Sequence, residues 1–199
     1  MDLVLASNNK GKLAELQALF APLGLRLVAQ GELGVPEAEE PYRTFVENAL
    51  TKARNAARHT GLAAVADDAG LCVDAFGGLP GVDTAYYATQ FGYAEGDDNN
   101  VRALLEQMRG VANRRAALVS TLVAVRSPED PEPLIAVGRA VGRITEAPVG
   151  GGGFGFDPVM WIEAFGKTFA ELPAEVKNAN SHRGQAAREM LRLMRERWF

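Results

Sequence analysis

The first residues that could do chemistry form a polar turn near the start of the chain. The turn consists of Ser7, Asn8, Asn9, Lys10, Gly11 and Lys12. Lysines at the beginning of a helix are disfavoured by about 0.3–1 kcal/mol next to the positive end of the helix dipole, unless an anion joins them. Backbone N–H groups, amides and ammonium groups around one helix N-terminus can hold phosphate, although these residues lack the Walker spacing. The turn predicts a phosphate site, and its alternative interpretation is a solvated surface turn.

Two pairs of acidic residues could hold a divalent cation. Asp67 and Asp68 follow an apolar run, and Glu39 and Glu40 lie in a loop bounded by prolines. Mg²⁺ in nucleotide enzymes is usually bound by one or two carboxylates together with phosphate oxygens and water. The pairs therefore predict a metal site for a nucleotide, with a solvated acidic loop as the alternative for each pair.

A glycine-rich loop and the start of a late helix add aromatic and cationic groups. Phe154 and Phe156 follow the run Gly150–Gly153, where an aromatic ring could stack on a base. Their alternative role is to anchor the loop to the core. His182 and Arg183 follow Ser181 at a helix N-terminus, which favours anion binding, although a histidine in this position is commonly structural.

The elements that must position these residues alternate between strands and helices. A strand over residues 3–6 precedes a helix that runs from Lys12 to Phe20, and a Thr44/Glu47 capping box opens a helix that ends near Gly61. Runs 62–66 and 71–73 predict two strands joined by an acidic corner. The remaining predictions are a helix capped by Asp97 and Asp98 that reaches Met108, strands over 116–125 and 134–144 joined as a hairpin, and a last helix capped by Ser181. The pattern predicts an α/β fold with a mixed sheet.

Length, charge and cysteine content narrow the classes of function. The 199 residues suit one domain, 1–199, and the net charge of −4 gives no general attraction to nucleic acid or to an anionic membrane. Cys72 is the only cysteine and lies in an apolar run, which favours a reducing cytoplasm. The first residues lack a basic leader, and no apolar run reaches 18 residues. We therefore predict a cytoplasmic protein with a small-molecule ligand, no nucleic-acid partner and no membrane.

The order of these motifs resembles a known family. Ser-x-Asn-x-x-Lys, FVENAxxKA, ADDAGL, GGLPGV, GFGFDP, FAEL and SHR follow one another along almost the whole chain. This series resembles the Ham1-like inosine triphosphate pyrophosphatase family. The resemblance implies an elongated mixed β-sheet with helices on both sides, which form two lobes around a central cleft. It also implies a homodimer and a Mg²⁺ cofactor, with Mn²⁺ as a substitute.

The resemblance also assigns roles to individual residues. Asp68 would be the catalytic base and would hold the metal together with Glu39. Glu40 is the alternative metal ligand, because the family pattern can be aligned to either glutamate of this adjacent pair. Substrate contacts would come from Ser7, Asn8, Asn9, Lys10, Gly11, Lys12, Lys52 and Ala69 for the nucleotide and its triphosphate, and from Phe154, Gly155, Phe156, Asp157, Lys177, His182 and Arg183 for the base and sugar.

Three positions depart from the commonest pattern of the family. Ala69 stands where a serine is usual, which removes a hydroxyl contact to the nucleotide. Phe156 replaces a tyrosine, and Tyr86 replaces an arginine. We expect activity to survive these changes because the carboxylate and the other cationic positions of the pattern are present.

The reaction implied by the resemblance is hydrolysis of ITP, dITP or XTP. Water would attack the α-phosphorus, pyrophosphate would be the leaving group, and the nucleoside monophosphate would be the other product. One alternative is another nucleotide enzyme, such as a γ-phosphatase or a pyrophosphatase for modified pyrimidine triphosphates. A second alternative is a nucleotide-binding regulator without turnover.

Overall fold

The computed structural model describes residues 2–199 and contains a seven-stranded sheet and five α-helices in that part of the chain. The strands are β1 Asp2–Leu5, β2 Arg26–Ala29, β3 Ala64–Val73, β4 Arg115–Val125, β5 Leu134–Ile144, β6 Met160–Ile162 and β7 Lys167–Thr168. The helices are α1 Lys10–Phe20, α2 Phe45–Thr60, α3 Asp97–Gln107, α4 Ala174–Asn180 and α5 His182–Arg197. None of the helices in residues 2–199 is long and apolar enough to cross a membrane.

The sheet is mixed, which confirms the predicted α/β fold. Its strand order is β2-β1-β3-β4-β5-β6-β7. β1 runs parallel to β2 and β3, while β6 is antiparallel to β5 and β7. The chain divides into two compact units: the first comprises residues up to Asp68, Ser120–Gly138 and His182–Phe199, and the second comprises Ala69–Val119 and Arg139–Ser181.

Helices cover both faces of the sheet in the first unit. Leu3 and Leu5 of β1 share a core with side chains of α1 and α5, whereas Val4 shares a separate core with alanines of α2. Strands β3 and β4 alternate in the same way because successive side chains of a strand point to opposite faces. A strand that is buried on both faces must be apolar throughout, which explains the uninterrupted run at residues 3–6.

Helix α2 begins and ends as its sequence predicts. The N–H of Glu47 donates to Oγ1 of Thr44 at 3.4 Å, and Gly61 ends the helix in the left-handed conformation, at φ 69°. Its buried face carries Ala49 and Ala53, and these small side chains let the helix lie close to the sheet. This approach brings the later residues of α2, including Lys52, near the middle of β3.

The predicted acidic corner is wrong. Residues 64–73 form one continuous strand, and Asp67, Asp68 and Gly70 lie inside it. The composition Asp-Asp-Ala-Gly is typical of a turn because carboxylates normally need water. Here buried cations of neighbouring helices take the place of water, so the strand continues.

The start of α3 also differs from the prediction, and one short helix was not predicted. Asp97 lies in the first turn of α3, after the N-cap residue Gly96, and its carboxylate accepts a hydrogen bond from the N–H of Gly155 at 2.8 Å. Ser181 directly precedes α5, as predicted, but it also ends the short helix α4, which the sequence did not predict.

Candidate active site

Asp67 and Asp68 point to opposite faces of the sheet, so they do not act as one carboxylate pair. Asp67 follows Val65 on the face that α1 and α5 cover, and Asp68 follows Ala66 on the face that α2 covers. Each carboxylate therefore meets different partners. Because successive side chains of a strand point to opposite faces, Asp67 and Asp68 belong to two different sets of contacts.

Asp67 is a fully buried anion with three charged or polar partners. Its Oδ2 lies 3.1 Å from Nζ of Lys12 and 3.1 Å from Nε of Arg183. The hydroxyl of Ser120 donates to Oδ1 at 2.6 Å. Burial opposes ionisation of this carboxyl, but the two cations and the hydroxyl outweigh burial and hold the pKa of Asp67 well below its usual range.

Arg183 links the start of α5 to the middle of α1. Its guanidinium, at the start of α5, binds Asp67 through Nε and Glu15 of α1 through Nη1, the latter at 2.5 Å. The arginine side chain is 3% exposed, and the charges of Asp67 and Glu15 raise its pKa against the effect of burial. Glu15 lies one helical turn after Lys12, so α1 supplies both a cation and an anion to this network.

Asp68 forms a second network with α2. The ammonium of Lys52 donates to Oδ1 of Asp68 at 2.9 Å and to Oε2 of Glu40 at 2.8 Å. Burial raises the pKa of the Asp68 carboxyl by more than the charge of Lys52 lowers it, and the charge of Glu40 adds to the rise. Oδ2 of Asp68 is buried and has no hydrogen-bond partner in residues 2–199. The residue therefore holds a buried oxygen that is ready to accept a proton or bind a cation.

The two lysines converge on one backbone oxygen. Nζ of Lys12 and Nζ of Lys52 donate to the carbonyl oxygen of Asp67, at 3.3 Å and 3.2 Å. Burial lowers the pKa of Lys12, whereas the carboxylates of Asp68 and Glu40 outweigh burial and raise the pKa of Lys52. Two ammonium groups are thus held close together at β3.

The polar turn before α1 is built around Asn9. Its side chain caps the helix by accepting from the N–H of Lys12 at 3.0 Å, and its own N–H donates to Oγ of Ser7 at 3.1 Å. Asn8 binds Glu37 at 2.9 Å, and Lys10 is exposed. Lys12 is only 18% exposed and is ion-paired, so the interpretation as a wholly solvated turn does not describe it.

The second unit holds a separate cluster of predicted site residues. Asp157 is buried and binds Nζ of Lys177 at 2.6 Å and the N–H of Phe154 at 3.0 Å. The same ammonium lies 4.9 Å from the centre of the Phe154 ring. Phe156 is buried in the apolar core of this unit, while Phe154 keeps part of its ring exposed. Of the two phenylalanines, Phe154 is the one with ring surface for a ligand.

Glycines in the loop before this cluster allow two close approaches. A side chain on Gly150 would lie 2.7 Å from the backbone of Ala170, and one on Gly153 would overlap the carboxylate of Asp157. Both glycines also have a positive φ, of 86° and 71°. Gly150 and Gly153, the first and last glycines of the run, are therefore required by packing and backbone conformation.

The remaining predicted site residues have defined positions. His182 is buried in the first turn of α5, and Ala69 is half-buried in β3. Glu39 is exposed, and Tyr86 is 59% exposed. The sequence indicates Asp67 only as half of a metal-binding pair, not as the partner of Lys12 and Arg183, and it gives Glu15 no role. The position of Glu15 three residues after Lys12 was the available signal, since residues at this spacing share a helix face.

The chain matches a known protein family along most of its length. The model of the Ham1 family matches residues 3–193. The chain belongs to the Ham1 family. Within it, the dITP/XTP pyrophosphatase of Albidiferax ferrireducens is 78% identical and that of Paracidovorax citrulli is 77% identical, each over the full length of both chains.

Solved structures of Ham1 proteins have the same fold. A HAM1 protein from Coxiella burnetii is 40% identical, with a TM-score of 0.90 over 98% of this chain and 99% of that chain. The Ham1 protein of Staphylococcus aureus is 32% identical, with a TM-score of 0.85 over 99% of this chain and 100% of that chain.

Proposed function

We propose that this Ham1 family member hydrolyses the non-standard purine nucleotides dITP, ITP and XTP to the nucleoside monophosphate and pyrophosphate. The observation that carries the proposal is the buried Asp68 carboxylate, which has one oxygen on Lys52 and the other without a hydrogen-bond partner in residues 2–199. The names of the relatives that are 77–78% identical supply the substrate class. The reaction would remove these nucleotides from the precursor pool.

The triphosphate binds to the ammonium groups of the first unit. Lys12 and Lys52 are held close together on the Asp67 carbonyl, and the N-terminus of α1 adds N–H groups and the exposed Lys10. Carboxylates already neutralise much of this charge in the free protein. Phosphate oxygens therefore have to share the lysines with Asp67, Asp68 and Glu40, which favours a ligand of high negative charge.

The residues around Asp68 fit a divalent cation that arrives with the nucleotide. Residues 2–199 contain no group of three histidine, cysteine or carboxylate side chains arranged to hold a metal ion. A cation there would need phosphate oxygens and water to complete its shell, as Mg²⁺ does with nucleotides. Asp68, whose Oδ2 has no hydrogen-bond partner in residues 2–199, would supply one carboxylate to the cation, and the pair Glu39 and Glu40 would supply the second. Glu40 already shares the Lys52 ammonium with Asp68, whereas Glu39 is the residue assigned by the family resemblance.

The chemical step is attack by water on the α-phosphorus. The water oxygen forms a bond to that phosphorus, its proton passes to the Asp68 carboxylate, and the bond to the β-phosphate oxygen breaks. Burial raises the pKa of Asp68, which makes it a stronger base than an exposed aspartate. Lys12 and Lys52 stabilise the charge that builds on the leaving pyrophosphate. Mg²⁺, or Mn²⁺ in its place, would supply further charge neutralisation and lower the pKa of bound water.

The base is bound through the residues that the family resemblance assigns to it. Phe154 offers its exposed ring surface for stacking, and the Lys177 ammonium next to it offers N–H donors. His182 and Arg183 are proposed to favour a C6 carbonyl over the amino group of adenine. Since Arg183 is also bound to Asp67 and Glu15, any contact it makes to the base is tied to the phosphate-binding network.

We further propose a cytoplasmic homodimer. Nucleoside triphosphates and a single unpaired cysteine both suit a reducing cytoplasm. Sedimentation equilibrium checks the oligomeric state, and a monomer at micromolar concentration would contradict the proposal.

One experiment tests the proposed function. Purified protein is incubated with Mg²⁺ and each of dITP, ITP, XTP, dGTP, GTP and ATP, and the phosphorus products are identified by ³¹P NMR. We expect the monophosphate and pyrophosphate from the first three substrates. Orthophosphate as the first product would indicate a γ-phosphatase, and binding without turnover would indicate a regulator. Parallel Mg²⁺ titrations of Glu39→Gln and Glu40→Gln decide which glutamate binds the metal, because only that variant should need a higher Mg²⁺ concentration.

A further inference from the structure

The first turn of α5 lies directly on the backbone of β5 at Gly138. A side-chain carbon at this position would overlap the carbonyl oxygen of His182 and would lie 2.6 Å from the amide nitrogen of Ala186 and 2.9 Å from Cβ of Gln185. Gly138 does not have a positive φ, so its backbone conformation does not require glycine. The requirement is for space, and two of the three nearest atoms are helix backbone, which cannot rotate away.

Side-chain size decreases along β5 towards this contact. The inward-facing residues of the strand in the first unit are Leu134, Ala136 and Gly138, and the outward-facing residues between them are exposed. Leu134 and Ala136 share an apolar core with the buried face of α5. The strand therefore offers a large side chain, then a methyl group, then bare backbone, and the bare backbone lies under the first turn of the helix. This gradation sets how closely that turn approaches the sheet.

The first turn of α5 carries Arg183, which binds Asp67 and Glu15. Asp67 in turn binds Lys12 through the same oxygen. The distance of this first turn from β5 thus determines where the guanidinium of Arg183 meets Asp67. Asp67 also binds Lys12, one of the proposed phosphate-binding lysines. We propose that Gly138 is a positioning residue, whose missing side chain places Arg183 on Asp67 and thereby orders the phosphate-binding network. The role of that network in turnover rests on the proposed function.

The size of the effect follows from the geometry. Carbon and oxygen atoms that are not bonded are most stable roughly 3.5 Å apart, and the overlap with the carbonyl of His182 means that the first turn would have to move by more than about 1 Å. Misplacement of about 1 Å in a catalytic arrangement can cost on the order of 10²-fold in rate. Gly138→Ala should therefore lower kcat/KM by about 30–300-fold.

The experiment compares Gly138→Ala with Gly142→Ala, its matched control on the same strand. A side chain at Gly142 would overlap the carbonyl oxygen of Trp161, so the control also inserts a methyl group against backbone, but against β6 and within the second unit. Hydrolysis of dITP is measured per folded enzyme, with the folded fraction taken from circular dichroism. We expect the loss for Gly138→Ala and a change of less than about 3-fold for Gly142→Ala. Equal losses in both variants would overturn the proposal.

A double-mutant cycle tests whether Gly138 acts through Arg183. Gly138→Ala should add less than about 3-fold to the loss caused by Arg183→Ala, because the displaced group is then already absent. If the two losses multiply, the proposal fails. A crystal structure of Gly138→Ala gives an independent readout, since the distance from Nε of Arg183 to Oδ2 of Asp67 should exceed about 4 Å, and an unchanged ion pair would also overturn it.

A second variant covers the case in which Gly138→Ala does not fold. Ala136→Val enlarges the next inward-facing position of β5 and should tilt α5 by a smaller amount, which lowers kcat/KM about 3–10-fold. An unchanged kcat/KM for this variant would then overturn the proposal. Failure of the proposed function is distinguishable, because the wild-type enzyme itself would not hydrolyse dITP, and the Arg183 position in the crystal would still report on Gly138.

Discussion

Changing Asp67 and Asp68 separately to asparagine should produce opposite results. The two residues are adjacent in the sequence and both are buried, but they face different helices. We expect Asp67→Asn to lose stability and retain part of the activity. We expect Asp68→Asn to keep its stability and lose most of the activity.

The stability loss of Asp67→Asn can be estimated from its contacts. The asparagine amide can still bind Ser120, whose hydroxyl rotates to accept instead of donate, and its oxygen can face Lys12 and Arg183. What disappears is the negative charge between two buried cations. Removing one partner of a buried ion pair costs about 3–5 kcal/mol, which corresponds to a fall in Tm of about 6–20 °C for a domain of this size.

The pH dependence of this loss has a definite sign. The pKa of Asp67 is lowered in the folded protein, so below about pH 4 the unfolded chain binds a proton that the folded protein does not. The stabilisation from Asp67 is therefore complete above about pH 4 and is lost as the pH falls further. The difference in unfolding free energy between wild type and Asp67→Asn should be constant from pH 7 to pH 5 and should shrink below pH 4.

Asp68→Asn should behave differently because the pKa of Asp68 is raised. A carboxyl with a raised pKa in the folded protein is disfavoured in its ionised form, so it contributes no net stability at neutral pH. Lys52 keeps Glu40 as its partner. The Tm should equal or exceed that of the wild type, while kcat should fall about 10²–10⁴-fold, as for the loss of a general base.

The assay is denaturant unfolding between pH 3 and pH 7 together with dITP turnover for both variants. Asp2→Asn is the matched control, since Asp2 forms an exposed ion pair with Arg26 and should change neither quantity appreciably. An Asp67→Asn variant that unfolds within 2 °C of the wild type would contradict the buried ion-pair role of Asp67. An Asp68→Asn variant that keeps more than half of the wild-type activity would contradict the role of Asp68 as the base.

Three further outcomes are expected. Chelation by EDTA should abolish hydrolysis and Mg²⁺ or Mn²⁺ should restore it, whereas undiminished turnover in EDTA would contradict the metal role of Asp68. In competition assays kcat/KM should rank ITP and XTP first, GTP well below and ATP last. Adenine presents an amino group to donors that a C6 carbonyl would satisfy, which places ATP last; equal hydrolysis of ATP would contradict this ranking. Phe154→Leu should raise KM about 5–150-fold through lost base stacking, whereas Phe156→Leu should lower Tm at unchanged KM because its ring is in the core; the reverse pattern would contradict the choice of Phe154.

Most long elements of the fold were predictable from local patterns. The boundaries of α2 followed from Thr44 and Gly61, whose capping needs only neighbouring residues. Strands β6 and β7 and the helix α4 were not predicted, because they span only two to seven residues and carry no complete period of apolar residues. The acidic doublet in β3 has the local composition of a turn, because the buried partners that keep it in a strand come from distant parts of the chain.

The amino-acid sequence by itself determined the family, the mixed α/β fold and the presence of the lysines, carboxylates and aromatic residues, since motif order and periodicity are properties of neighbouring residues. Only the tertiary structure decided that Asp67 and Asp68 have different partners and different roles. The pleat of β3 sends them to opposite faces, where α1 and α5 bring Lys12 and Arg183 to Asp67, while α2 brings Lys52 to Asp68. A pKa depends on burial and on charges within a few ångströms, and these are set by helices that are far apart in the sequence.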